Sequence, residues 1–176
     1  WNAKRFAVQD GLQKARARSA CTMDFCWQMD CDEVVHEDDY DKVKAVCKRL
    51  PKNANLIALP VIEYWGSSEK IRVDINPWKW RLSRNRKFIT HGIPAQLRRF
   101  DENNEMFAAQ GTDGCDYVDS ETGVPIQFLS FYDQGAHTVR MRAVGGDDES
   151  LEMFEVWFNN VIANLPGVHH YSWIDI

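Results

Sequence analysis

The chain contains no apolar run approaching the roughly 18 residues that a membrane-spanning helix requires. A transmembrane segment is therefore not expected. No basic-then-apolar segment opens the sequence, and a cytoplasmic location is the expectation. Low-complexity tracts, internal repeats and long Pro- or Gly-rich linkers are also missing, which argues against disorder and against a string of modules. Cysteine is present but lacks a pattern. The five residues Cys21, Cys26, Cys31, Cys47 and Cys115 are odd in number, and their spacing matches no zinc motif. Reduced thiols are expected. A uniformly basic character is lacking too: the net charge is −5, so nucleic acid is not an expected partner.

What remains is a 176-residue chain, 44% hydrophobic, which is enough for one domain with a real core. We expect residues 1–176 to form one α/β unit, a mixed sheet flanked by helices. The sequence begins at Trp1, already inside a helical pattern, and reads as a fragment or a processed product.

The charge is unevenly distributed. Residues 69–100 carry nine basic residues (Lys70, Arg72, Lys79, Arg81, Arg84, Arg86, Lys87, Arg98 and Arg99) against Glu69 and Asp74. Residues 101–155 carry thirteen acids against Arg140 and Arg142. An anionic ligand near a metal-binding region fits this division; two solvated faces of opposite sign are the more frequent source of such a pattern.

Val8, Leu12, Ala15 and Ser19 form a small apolar stripe and predict a helix over residues 4–19. A short buried strand follows at 25–29, then an acidic loop at 30–37. Asp38 or Asp39 can cap a helix running to about Leu50. From Leu56 to Trp65 the chain is apolar and β-prone, and Ile71 to Ile75 alternates. Trp78–Leu82, Phe88–Thr90 and Phe128–Tyr132 read as further strands, and residues 101–127 as a long decorated loop. Leu151, Phe154, Trp157, Phe158, Val161, Ile162 and Leu165 define a strong amphipathic helix. Pro166-Gly167 stops it before a final strand, Val168 to Ile174.

The richest segment is Trp27-Gln28-Met29-Asp30-Cys31-Asp32-Glu33-Val34-Val35. A strand that stops at Asp-x-Asp brings carboxylates to a sheet edge. There they can hold Mg²⁺ or Mn²⁺, which keep several waters and bridge to substrate phosphate. An acidic turn capping the next helix gives the same pattern. Glu33 can orient the loop. His169-His170 offers an imidazole to complete such a site, one ring facing inward and the other outward. Arg81 and Ser83 should share one strand face, with Leu82 and Arg84 on the other. Either arginine suits a phosphate, and either also suits a protected edge strand. His91 in the His-Gly turn can contact substrate or backbone. Asp113 and Asp116, on the turn-rich loop, are candidate general bases for an acceptor hydroxyl, or solvated loop charge.

These motifs occur in an order that resembles family 2 glycosyltransferases, which have the GT-A fold. The carrying residues are Lys4-Arg5, then Cys26-Trp27-Gln28-Met29-Asp30-Cys31-Asp32-Glu33-Val34, then Arg81-Leu82-Ser83-Arg84-Asn85 with His91-Gly92, and last Val168-His169-His170-Tyr171-Ser172-Trp173. The resemblance implies a partial GT-A architecture and an inverting transfer of a sugar from a nucleotide-diphosphate donor to an acceptor hydroxyl. It implies Asp30, Asp32 and His170 as ligands of Mn²⁺ or Mg²⁺, with Arg81, Arg84 and His91 toward substrate. The chain departs from the family in its first part. Twenty-nine residues precede Asp30, where two opening βαβ units would occupy about ninety. The expectation is the C-terminal part of a catalytic domain.

Two other readings stand beside this one. Asp30-Cys31-Asp32-Glu33-Val34 and Gly146-Asp147-Asp148 also mimic the first and last motifs of haloacid-dehalogenase-type phosphatases. Trp65, Trp78, Trp80 and Tyr64 can stack on sugar rings in a non-catalytic carbohydrate- or partner-binding module.

Overall fold

The structure, a computed structural model, describes residues 3–91, 98–100, 102–103, 106–108, 117–119, 128–130 and 132–171. It is α/β, and the chain divides into two compact units. One comprises residues 1–28 and 82–127, the other residues 29–81 and 128–176.

In the first unit, helix α1 (Ala3–Ser19) ends with Arg16 and Arg18 in its last turn, where cations complement the helix dipole. Strand β1 (Phe25–Trp27) pairs antiparallel with Leu82–Arg84, the end of strand β4 (Trp78–Arg84), and Cys26 lies opposite Ser83. Strand β5 (Ile89–His91) pairs antiparallel with β8 (Tyr117–Asp119), and β6 (Arg98–Phe100) with β7 (Met106–Ala108). Helix α1 lies along β5 and β7. The segment expected to be a decorated loop thus carries β7 and β8 as short strands.

The second unit is built on strand β3 (Leu56–Glu63), whose eight residues are all buried. A strand covered on both faces reads as a continuous apolar run, and Leu-Ile-Ala-Leu-Pro-Val-Ile is one. Two parallel neighbours share one of its edges. Strand β9 (Phe128–Leu129) pairs with Leu56 and Ile57, and β10 (Val168–His170) pairs with Val61, Ile62 and Glu63. Pro60 falls between them. A proline has no N–H for a ladder, and this gap asks for none. Antiparallel to β10 lies β2 (Glu33–Val34), with Val34 opposite His169 and Glu33 opposite His170.

Helix α2 (Tyr40–Arg49) starts after a 3₁₀ turn (Glu37–Asp39). Asp39 precedes it but makes no side-chain cap. Its carboxylate instead accepts the Gly167 N–H at 2.8 Å and pairs with Lys42 at 2.6 Å. Helices α3 (Gln134–Val144) and α4 (Asp148–Asn164) pack together as a hairpin between β9 and β10. Each has an aspartate N-cap: Asp133 accepts the Ala136 N–H, and Asp147 the Ser150 N–H. The Gly146-Asp147-Asp148 motif therefore serves as a helix cap here. Gly146 has φ +94°, a conformation that favours glycine in this tight turn.

The predicted face of α4 is the one that packs. Phe154 and Phe158 join Ile62 in a core that includes Trp157, Tyr132, Val139 and Ile162. Arg140 is buried and ties this layer to the 73–75 segment, donating to the Val73 and Ile75 carbonyls and the Tyr132 hydroxyl. The alternating residues Ile71–Ile75 form no strand; a single bridge joins Ile71 to Tyr64. No helix among the described residues is long and apolar enough to cross a membrane.

Candidate functional site

The Asp-x-Asp segment lies between β1 and β2, and its turn is closed by its own backbone and by Glu33. The Glu33 N–H donates to the Asp30 carbonyl at 3.1 Å, while the Asp30 N–H donates to Glu33 Oε2 at 3.1 Å. Glu33 thus orients the loop. The two aspartates turn to different partners. Asp30 Oδ2 accepts from Arg81 Nη2 at 2.6 Å, and the same nitrogen donates to Glu33 Oε1. Asp32 Oδ2 lies 3.1 Å from His170 Nε2.

His170 reaches Asp32 because β10 lies between β2 and β3. In register, His170 stands beside Glu33 on one side and Glu63 on the other. Its Nδ1 is 2.5 Å from Glu63 Oε1, on a carboxylate only 5% exposed. The backbone reinforces the placement: the Tyr171 N–H donates to the Asp32 carbonyl at 3.0 Å, and the Tyr64 N–H to the His170 carbonyl at 3.1 Å. His169 points to the opposite face, as alternation requires, and its Nδ1 meets the Tyr64 hydroxyl at 2.8 Å. Burial lowers the His169 pKa against the opposing charge of Asp39.

Lys79 completes the cluster, 3.5 Å from Glu33 Oε1 and 3.8 Å from Glu63 Oε2. Burial works against the charge on Arg81, but Glu33 and then Asp30 outweigh it and raise the guanidinium pKa. Four carboxylates (Asp30, Asp32, Glu33 and Glu63) stand against Lys79 and Arg81.

The donor set fits one divalent ion between Asp32 and His170. Two cis ligands of such an ion lie about 3 Å apart, close to the 3.1 Å between Asp32 Oδ2 and His170 Nε2. Glu63 cannot join them, because it occupies the other ring nitrogen. It takes the place of the carboxylate that orients a ligating histidine. Among the described residues, no group of three or more His, Cys, Asp or Glu side chains can hold a metal.

The remaining predicted residues are distributed as follows. Arg81 shares the cluster, but with its guanidinium already on protein carboxylates. Arg84 and His91 belong to the first unit. The Arg84 guanidinium lies 5.2 Å from the Phe25 ring centre, and His91 pairs in register with Tyr117. Asp113 and Asp116 lie outside the described residues. Of the aromatic candidates, Trp78 is buried, while Trp65 is half-exposed with Arg72 stacked on it at 4.9 Å. Sequence reasoning missed Glu63 and Lys79. The signal for Glu63 was an acid closing seven uncharged strand residues, a position that demands a partner. No family model matches the chain, and neither the curated proteins nor the solved structures provide a match.

Proposed function

We propose that this chain carries the cation site of a metal-dependent glycosyltransferase, with Asp32 and His170 as its protein ligands. The transfer is of a sugar, from a nucleotide-diphosphate donor to an acceptor hydroxyl, with inversion, in a GT-A-like setting. The observation that supports this reading is the Asp32–His170–Glu63 line, in a cluster of four carboxylates. The ordered motifs of the sequence support it as well.

A bound Mn²⁺ or Mg²⁺ would supply positive charge to the leaving diphosphate and a template for its oxygens. The chain's own groups prepare for that. With its proton on Nδ1, His170 would donate to Glu63 and turn its Nε2 lone pair toward a cation shared with Asp32. Arg81 and Glu33 hold the Asp-x-Asp turn, and Asp30 neutralises Arg81. In this reading Arg81 positions the loop rather than the substrate.

Calorimetric titration with MnCl₂ tests the proposal. We expect one site, lost in both Asp32→Ala and His170→Ala. A nucleotide-diphosphate-sugar should bind more tightly with Mn²⁺ than with EDTA. If Mn²⁺ yields neither heat nor a thermal shift, and Asp32→Ala changes nothing, the cation site is refuted.

A further inference from the structure

The first unit contains a half-open cavity of about 510 Å³, within the size range of small-molecule sites. One wall is the last turn of α1, and the other is the turn from β4 to β5. Three cations line it, Arg18, Arg86 and Lys87, and no carboxylate does so among the described residues. Arg86 and Lys87 are exposed, and neither has an ion-pair partner among the described residues. Arg18 is fixed in place. Its Nε donates to the Ile89 carbonyl at 3.1 Å, Nη1 to the Ser83 hydroxyl at 2.6 Å and Nη2 to the Arg84 carbonyl at 2.5 Å. These three bonds fix the guanidinium at the cavity wall.

A helix C-terminus normally repels an anion, because its last carbonyls point outward. Here three of those oxygens accept hydrogen bonds. The Ala20 N–H and the Cys21 thiol reach the Ala17 carbonyl, the Cys21 N–H reaches Arg18, and the Ser19 hydroxyl reaches Arg16. Asn85 fastens the facing turn by donating to the Cys21 and Met23 carbonyls, each at 2.9 Å. Ala15 adds an apolar spot to the wall, and the buried Ile89 backs it.

We propose that this cavity binds a small phosphate-bearing organic anion, its phosphate at Arg86 and Lys87 and its organic part against Ala15. The site shares no residue with the cation pair and works without metal.

The test is calorimetric titration of inorganic pyrophosphate and of ADP into the full chain in EDTA buffer. Arg86→Gln/Lys87→Gln should weaken both probes about tenfold, as expected for two exposed charge contacts. Lys48→Gln/Lys52→Gln, an equal charge change on exposed residues elsewhere, should leave them within about twofold. Asp32→Ala should bind as the parent does, which separates this site from the cation proposal. ADP binding at least as tightly as pyrophosphate supports the organic ligand; pyrophosphate binding alone overturns that part. The site itself is overturned if neither probe binds at about 10 mM, or if the two double variants lose affinity equally.

Discussion

Arg81 and Arg18 are held in opposite ways. Arg81, in the second unit, meets the carboxylates of Asp30 and Glu33 in a buried setting. Arg18, in the first unit, spends its donors on two carbonyls and a hydroxyl beside a solvent-filled cavity. The first arrangement matches charge with charge and leaves an arginine little to offer a ligand. The second fixes a guanidinium through two carbonyls and a hydroxyl at a cavity wall. An arginine count along the sequence does not distinguish the two. The partners do.

The sharpest way to break this comparison is to remove each arginine. Arg81→Ala leaves the wholly buried Glu33 carboxylate with Lys79 at 3.5 Å as its remaining cation, and such a loss costs about 3 kcal/mol. Arg18→Ala removes hydrogen bonds to neutral acceptors that water can partly replace, for about 2 kcal/mol. Urea denaturation of both variants measures the difference. Equal losses would mean that Glu33 is not buried as an ion, and the contrast would fail.

Between these lies the role of Glu63. Glu63→Gln keeps the size of the side chain but removes the charge that orients His170. We expect a 10- to 100-fold loss of Mn²⁺ affinity, roughly the effect of losing a carboxylate behind a ligating histidine. Titration of the variant, with circular dichroism to confirm its fold, checks this. Unchanged affinity would leave Glu63 as a structural partner of the strand pair.

The smallest effect belongs to an exposed carboxylate. Asp147 accepts from the Ser150 hydroxyl and N–H, and these bonds lower its pKa below the ordinary value. A depressed folded pKa stabilises the fold above the unfolded value of about 4. That stabilisation fades as the pH falls through the folded value. Asp147→Ala should therefore melt slightly below the parent at neutral pH, and the gap should close in acid. A gap that persists in acid would attribute the effect to lost packing rather than to the charge.

Much of the second unit was legible because its patterns are local. The apolar face of α4 follows the 3.6-residue period, and it is the face that packs on Ile62. Strand β3 was legible as an unbroken apolar run. Helix α3 was not, because Gly135, Thr138 and Val139 lower its propensity and it buries few residues. Asp32 and His170 could be named from the sequence, since their residue types announce a chemistry. The separation of Asp30 from Asp32 could not, because it depends on Arg81 arriving from 51 positions away. Glu63 escaped for a related reason: a lone acid at a strand end shows its purpose only when the neighbouring strand is known.

The placement of β10 between β2 and β3 has a consequence for how the protein assembles. Asp32 and His170 are 138 positions apart, and Glu63 and His170 are 107 apart. Closing loops of this length is slow relative to forming the α3–α4 hairpin. A chain emerging from the ribosome can therefore complete β3 and its first neighbours while Glu63 still lacks its imidazole. The Glu63 end of β3 lacks this partner until residue 170 arrives. Formation of the candidate site is thus tied to the late docking of one three-residue strand, and the site cannot exist on a partly folded chain.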